Sequence, residues 1–234
     1  SLRDALELLG KKRKASALDG QAFVNYAEAL SAAYEVRLAG MGEDGVTDGC
    51  TTHFSIIDRH GNMVAWTQTL LSLFGSRVVL PETGILCNNG INWFDPSPGK
   101  PNSIGPGKRP LTNMLPTLGL KDGQPWLAIG ASGGRRILPA VFQVISYMAD
   151  HGLSPEEAWH RPRIDVSKPG EVALDPAIEP EVRAALGKDF RTGERARHPY
   201  PLGYACPVGV AIEAGGARIG MTEISQPWAG AAAG

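Results

Sequence analysis

Two neighbouring strand-forming runs constrain this chain most. Thr52–Ile57 and Met63–Thr69 are rich in β-branched and aromatic residues and flank the polar turn Arg59-His60-Gly61-Asn62. That pattern predicts an antiparallel hairpin. An acidic, glycine-rich stretch, Met41-Gly42-Glu43-Asp44-Gly45-Val46-Thr47-Asp48-Gly49, leads into Cys50-Thr51-Thr52, so a flexible linker runs into a strand that opens on small hydroxyl residues. One reading is a strand with edge threonines, which are common. Another is a chain cut ahead of Thr51, which frees an α-amine of near-neutral pKa to act as base for that residue's own hydroxyl. A third puts the cut before Cys50, whose thiolate is the better nucleophile.

At 234 residues the chain has room for one sizeable domain, or one domain with a helical extension. Its 23 basic and 24 acidic residues nearly cancel, so no basic field recruits nucleic acid or an anionic membrane. Lys11-Lys12-Arg13-Lys14 reads as a solvated helix end. No apolar run reaches membrane-spanning length, and the start, Ser1-Leu2-Arg3-Asp4, is no signal peptide. The missing initiator methionine fits a fragment or processed piece, which leaves periplasm and cytoplasm of a bacterium both open. Cys50, Cys87 and Cys206 are too few and scattered for a disulfide framework or a zinc site. His53, His60, His151, His160 and His198 never fall at ligand spacing with a carboxylate or thiol, so no metal and no cofactor is expected.

Residues 1 to 38 read as helical, with Phe23, Tyr26, Ala27, Leu30, Ala33, Tyr34 and Leu38 forming one apolar stripe over a polar back face. Strands are expected at Gly84–Cys87, Leu115–Leu120 and Pro125–Ile129, the last after the turn Lys121-Asp122-Gly123-Gln124. Asp95 to Pro110, rich in Pro and Gly, reads as a long ordered loop. A helix follows from about Arg136 to Asp150, and Ser154-Pro155-Glu156-Glu157 opens another with a capping box. Strands at Glu171–Leu174, Val208–Glu213 and Ala217–Met221 flank a short helix from Glu181 to Leu186. Strands, then helices, then strands again imply an α+β fold, antiparallel sheets covered by helices.

Gly130-Ala131-Ser132-Gly133-Gly134 lies between a strand and a helix, where backbone N–H groups and the helix dipole favour an anion. It is a plain glycine-rich turn, a phosphate cradle or an oxyanion hole; the known phosphate-loop and dinucleotide fingerprints are absent. Gly105-Pro106-Gly107-Lys108-Arg109-Pro110-Leu111 is a stiff loop that feeds Thr112 and Asn113 into a strand start, as a substrate-binding edge would.

In this order, these segments resemble the γ-glutamyltransferase (γ-glutamyl transpeptidase) family. The matching residues are Thr51-Thr52-His53 with Ser55, Asp58, Gly61-Asn62 and Thr69; Gly84-Ile85-Leu86 with Asn88-Asn89; Lys108-Arg109-Pro110-Leu111 with Met114 and Pro116-Thr117; and Gly133-Gly134 with Arg136-Ile137. The likeness covers residues 51 to about 230, and residues 1–50 resemble the end of the family's large subunit with its processing linker. It implies an N-terminal nucleophile hydrolase fold of αββα layering, here as a partial chain whose catalytic small-subunit region is 51–234. It also implies self-cleavage at Cys50–Thr51 and a heterodimer with the remainder of the large subunit, where the family keeps an arginine for the substrate carboxylate. Thr51 then matches the nucleophile, Thr69 its supporting hydroxyl, and Gly133 and Gly134 the oxyanion hole. Thr112 and Asn113 stand where the family has a serine pair for the glutamyl α-carboxylate. Leu71, Gly90 and Trp93 stand where well-studied members hold the α-amino group with an asparagine, a glutamine and an aspartate, so at Gly90 and Trp93 substrate binding departs from the family. The loop from Pro96 to Pro106 is shorter than the lid-bearing form. The expected activity is transfer or hydrolysis of a small γ-glutamyl amide of glutathione type. The alternatives are an acylase for non-glutamyl (glutaryl-like) amides and an unprocessed, inactive binding homologue.

Overall fold

In the computed structural model, which describes residues 2–12, 17–39, 50–199 and 203–234, two antiparallel sheets lie face to face. The smaller is the expected hairpin, β1 (Thr51–Ile57) and β2 (Met63–Thr69), paired in register from Thr51↔Thr69 to Ile57↔Met63. The larger has the order β3 (Thr117–Lys121), β4 (Gln124–Ser132), β8 (Cys206–Ile212), β9 (Arg218–Thr222). The hairpin rests on β4 and β8, which carry helix α3 (Ile137–Ala149) on their other face. Side chains alternate across a strand. Thr51, His53, Ser55 and Ile57 therefore face the larger sheet, while Phe54, Ile56, Val64 and Trp66 lie exposed outside. Phe54 and Trp66, directly opposite each other, stack with ring centroids 6.2 Å apart.

The helical region expected over residues 1 to 38 is two helices, α1 (Leu2–Gly10) and α2 (Gly20–Ala39). The second starts where the Asp19 carboxylate accepts from the N–H groups of Gln21 and Ala22, an N-cap that ends any continuous helix. The apolar stripe is buried as expected, Leu38 only partly, but the back face is not exposed along the first half. Val24, Asn25 and Ala29 are buried too, because α1 and α5 (Pro180–Leu186) enclose the helix. Tyr26 meets Phe23, Phe142 and Tyr147, and its hydroxyl lies 2.9 Å from Ser146 Oγ. One hydrophobic core thus spans both sides of residue 50. Lys12 pairs with Glu28; Arg13 and Lys14, like the linker at 40–49, lie outside the described residues.

The capping box at α4 (Pro155–His160) forms in both directions, through Ser154 and Glu157. Two strands were not expected, β5 (Ile164–Asp165) and β7 (Arg191–Glu194). They flank β6 (Glu171–Leu174): β5 pairs with it antiparallel and β7 in parallel through the α5 crossover, so this third sheet is mixed. Gly84–Cys87 forms no strand; it contributes the single bridge Val79↔Leu86. Conversely, β4 runs on to Ser132, three residues past its expected end. Below α4, a charged cluster is sealed from water: Arg163 pairs with Glu223, Arg197 bonds Asp175 at 2.6 Å, and Arg197 lies 3.6 Å from Glu223. Among the described residues, no helix is long and apolar enough to cross a membrane.

Candidate active site

The β1–β2 ladder extends one residue beyond its strands: Cys50 N–H donates to Leu71 O at 3.3 Å, and Leu70 N–H to Cys50 O at 3.4 Å. Thr51 is thereby fixed opposite Thr69, and its Oγ1 donates to Thr69 Oγ1 at 3.1 Å. Thr69 Oγ1 is itself held by Leu71 N–H at 2.9 Å. Two residues deeper, His53 has Thr67 Oγ1 2.7 Å from Nδ1 and Ser55 Oγ 2.9 Å from Nε2. Burial pushes its pKa down from 6.5 to about 4, so the ring is neutral at neutral pH.

The His53 ring sits on Gly130, where a Cβ would come within 2.3 Å of the ring carbon Cε1. At the other end, a Cβ on Gly61 of the hairpin turn would meet Pro125, near the start of β4. Hence β1 runs opposite to β4, and Thr51 lies at the end of the stack where β4 leaves through Ser132 into Gly133 and Gly134. Gly130 is therefore buried strand and floor for His53, which narrows the expected anion loop to Gly133 and Gly134. Gly133 has φ 130°, and a Cβ there would lie 2.7 Å from Ala205 Cα, so only glycine fits. A single 3-10 turn, Gly134–Arg136, then starts α3. Among the described residues, neither glycine N–H meets an acceptor.

The other expected residues gather at the same end. Asn89 N–H donates to Leu70 O at 3.1 Å, and the Asn89 amide exchanges hydrogen bonds with Ser72, which sets Leu71 beside Gly90. The Trp93 ring folds back on Gly90, 3.2 Å from where a Cβ would stand. Leu71, Gly90 and Trp93 form an uncharged wall. Buried Asn102 joins this wall to the next segment, donating to Trp93 O at 2.6 Å and accepting from Leu111 N–H at 3.0 Å. Thr112 and Asn113 follow, tethered from α2 by Arg37, which donates to Thr112 O and to Asn113 Oδ1. Tyr34, one turn earlier, donates its hydroxyl to Arg135 O beside the glycine pair. Arg37 and the Tyr34 hydroxyl were missed from the sequence: a basic residue near a helix end reads as solvated, and Tyr34 was counted only for its ring. Among the described residues, no cluster of His, Cys, Asp and Glu is arranged to hold a metal.

The γ-glutamyltranspeptidase family profile matches residues 8–214. The chain belongs to the γ-glutamyltranspeptidase family. It is 40% identical over 147 residues to the glutathione hydrolase proenzyme of Escherichia coli (strain K12), covering 58% of this chain and 25% of that protein. It is also 40% identical over 164 residues to the acylase ACY 1 proenzyme of Pseudomonas sp. (strain SE83), covering 69% of this chain and 29% of that protein. The chain thus spans about a quarter of the length of these curated relatives. Among solved structures, a γ-glutamyltranspeptidase mutant from Helicobacter pylori matches with a TM-score of 0.63 and 29% identity, over 75% of this chain and 100% of that one. A cephalosporin acylase from Bacillus halodurans shares the fold with a TM-score of 0.82, covering 98% of this chain and 49% of that one at 21% identity. The N-terminal nucleophile fold of the γ-glutamyltranspeptidase family is therefore the fold of this chain, an α+β stack in which helices cover the β4–β8 side.

Proposed function

We propose that this chain carries the catalytic centre of an N-terminal-threonine amide hydrolase and acyltransferase, activated by cleavage at Cys50–Thr51. The observation that carries this reading is the Thr51–Thr69 hydroxyl pair at the first residue of β1, directly after the candidate cut. In the precursor, Thr51 Oγ1 attacks the Cys50 carbonyl carbon, the acyl group moves from nitrogen to oxygen and so frees the Thr51 α-amine, and water then hydrolyses the ester to release the Thr51 hydroxyl and the Cys50 carboxylate. The amine then takes the Oγ1 proton as that oxygen attacks the substrate amide. Gly133 and Gly134 N–H groups receive the developing oxyanion, and the leaving amine departs with the proton. Water or an acceptor amine then releases the acyl group from Thr51. Thr69 orients the nucleophile. His53 stays neutral and pinned between two hydroxyls, a support rather than the base.

The partner in this reading is the rest of the full-length polypeptide, seated on the exposed apolar exterior of β1 and β2. Intact-mass measurement on the full-length precursor is expected to show a chain beginning at Thr51, and Thr51→Ala should abolish it. A chain beginning at Cys50 would move the nucleophile to the thiol, and a stable single chain would favour the inactive homologue.

The uncharged wall of Leu71, Gly90 and Trp93 favours a second reading of the substrate. An α-ammonium group needs acceptors or an anion, and these side chains supply none, so acyl groups lacking the amine fit better. A glutaryl anilide is expected to exceed its γ-glutamyl counterpart in kcat/KM by about tenfold, the worth of one charge-assisted hydrogen bond. The reverse preference would return the site to glutathione-type substrates.

A further inference from the structure

The Arg135 carbonyl stands where α3 cannot supply its donor. In an α-helix the carbonyl of residue i accepts the N–H of residue i+4, and for Arg135 that residue is Pro139, which has no N–H. The Tyr34 hydroxyl of α2 takes that place and donates to the Arg135 oxygen. Burial pushes the Tyr34 pKa up, so the hydroxyl keeps its proton. A phenylalanine would fill the same space and take this donor away.

The bond has a continuation in the backbone. The peptide group that carries the Arg135 oxygen also carries the Arg136 N–H, which donates to Gly133 O at 3.2 Å. The Gly133 oxygen in turn shares its peptide group with the Gly134 N–H. In a planar trans peptide the N–H points opposite to the C=O. With Gly133 O turned into the 3-10 turn, the Gly134 N–H is turned out of it. Gly134 keeps this geometry at φ 60°, closed by the bond from Ile137 N–H to Gly134 O. Two peptide groups in series thus lead from the Tyr34 hydroxyl to the Gly134 N–H, and hydrogen bonds in such a chain polarise one another.

We propose that Tyr34 is a positioning residue for the oxyanion: acting through the 135–136 and 133–134 peptide groups, its hydroxyl orients and polarises the Gly134 N–H. This rests on the amidase reading above. Tyr34 precedes Thr51, so after cleavage the relay crosses from one chain to the other, with α2 anchored in the common core.

The test uses the full-length polypeptide and the better of glutaryl and γ-glutamyl p-nitroanilide as substrate. Acylation and deacylation both form an oxyanion, so a weakened donor lowers kcat whichever step limits turnover. Tyr34→Phe should lower kcat about tenfold, part of the hundredfold or so that follows loss of a whole oxyanion donor, with KM within about twofold. Pro139→Ala returns a backbone N–H to the Arg135 carbonyl, so Tyr34→Phe combined with Pro139→Ala should recover most of the lost kcat. A hydroxyl that serves folding alone would lower the urea midpoint and leave kcat of the folded enzyme unmoved, which would overturn the proposal. So would a loss confined to KM, or a loss that Pro139→Ala does not restore. If Tyr34→Phe does not fold, 3-fluorotyrosine at position 34 carries the test. It keeps the ring and makes the hydroxyl a stronger donor, so kcat should rise with KM unchanged; an unmoved kcat would overturn the relay. A wild type that yields no chain starting at Thr51 and cleaves neither anilide would overturn the amidase reading itself, whereas a processed, active enzyme insensitive to the Tyr34 hydroxyl overturns only the relay.

Discussion

His53 is held by two hydroxyls between the sheets, and its depressed pKa makes stability depend on pH. In the unfolded chain it takes up a proton below about 6.5, but in the folded chain only near 4. Over that window the unfolded state binds more protons, so this contribution is complete above about 6.5 and is lost as pH falls through 4. Urea midpoints should therefore drop between pH 6.5 and 4, and His53→Gln should flatten that drop; an equal slope in the variant would place the effect elsewhere. Gly130→Ala drives a methyl into the imidazole and is expected to cost about 1–3 kcal/mol in urea denaturation. Leu71 carries a different tension, a left-handed backbone with φ 71°. That conformation costs most L-residues about 1–2 kcal/mol, while asparagine adopts it more readily. Leu71→Asn should raise the urea midpoint and, by adding an acceptor, shift kcat/KM towards γ-glutamyl over glutaryl substrates. A loss of stability would show that the Leu71 side chain contributes more by packing than its backbone costs.

Among the elements, the segments around β5, β6 and the C-terminal strand β9 depend on buried charge. Arg163 is fully buried and Glu223 nearly so, and each is the other's principal counter-ion. Glu223→Gln leaves Arg163 uncompensated and should destabilise by about 3–5 kcal/mol, read from thermal or urea unfolding; a change under 1 kcal/mol would mean that water reaches the cluster. The elements also show which signals a sequence carries. The β1–β2 hairpin and the Ser154–Glu157 capping box were legible because their signals are local: β-branched and aromatic runs, turn residues, a three-residue spacing. In β7, Arg191-Thr192-Gly193-Glu194 has no apolar residue, and only pairing with β6 makes it a strand. Gly84–Cys87 is apolar and bonds back to residues 76–80 through Cys87 N–H to Val78 O and Leu80 N–H to Ile85 O, but the pairing closes on the single bridge Val79↔Leu86 and is too short to make a strand. The Arg37 tether spans more than seventy residues of chain to Asn113, and no spacing rule reaches that far.

Across the whole molecule, the unusual surface is the exterior of β1 and β2, where Phe54 and Trp66 are 42% and 53% exposed and Ile56 and Val64 lie beside them. Contiguous exposed apolar surface of this kind marks an interaction face. In the full-length polypeptide Trp66→Lys is expected to lower Tm by several degrees, whereas Trp228→Lys, at an exposed position in the C-terminal segment, should stay within about 0.5 kcal/mol of the parent. Equal effects would argue that nothing covers the hairpin. The layered fold was legible from motif order; the depth of His53 and the reach of α2 depend on how layers stack. The central claim is that Thr51, freed by cleavage, is the nucleophile. Its most direct test is to trap the acyl-enzyme of the full-length protein with a slowly deacylating amide and map the modified peptide. The predicted result is a single acyl group on the Thr51 hydroxyl of a chain that begins at Thr51; acylation of Cys50, or of no residue in a protein that still turns over substrate, would contradict it.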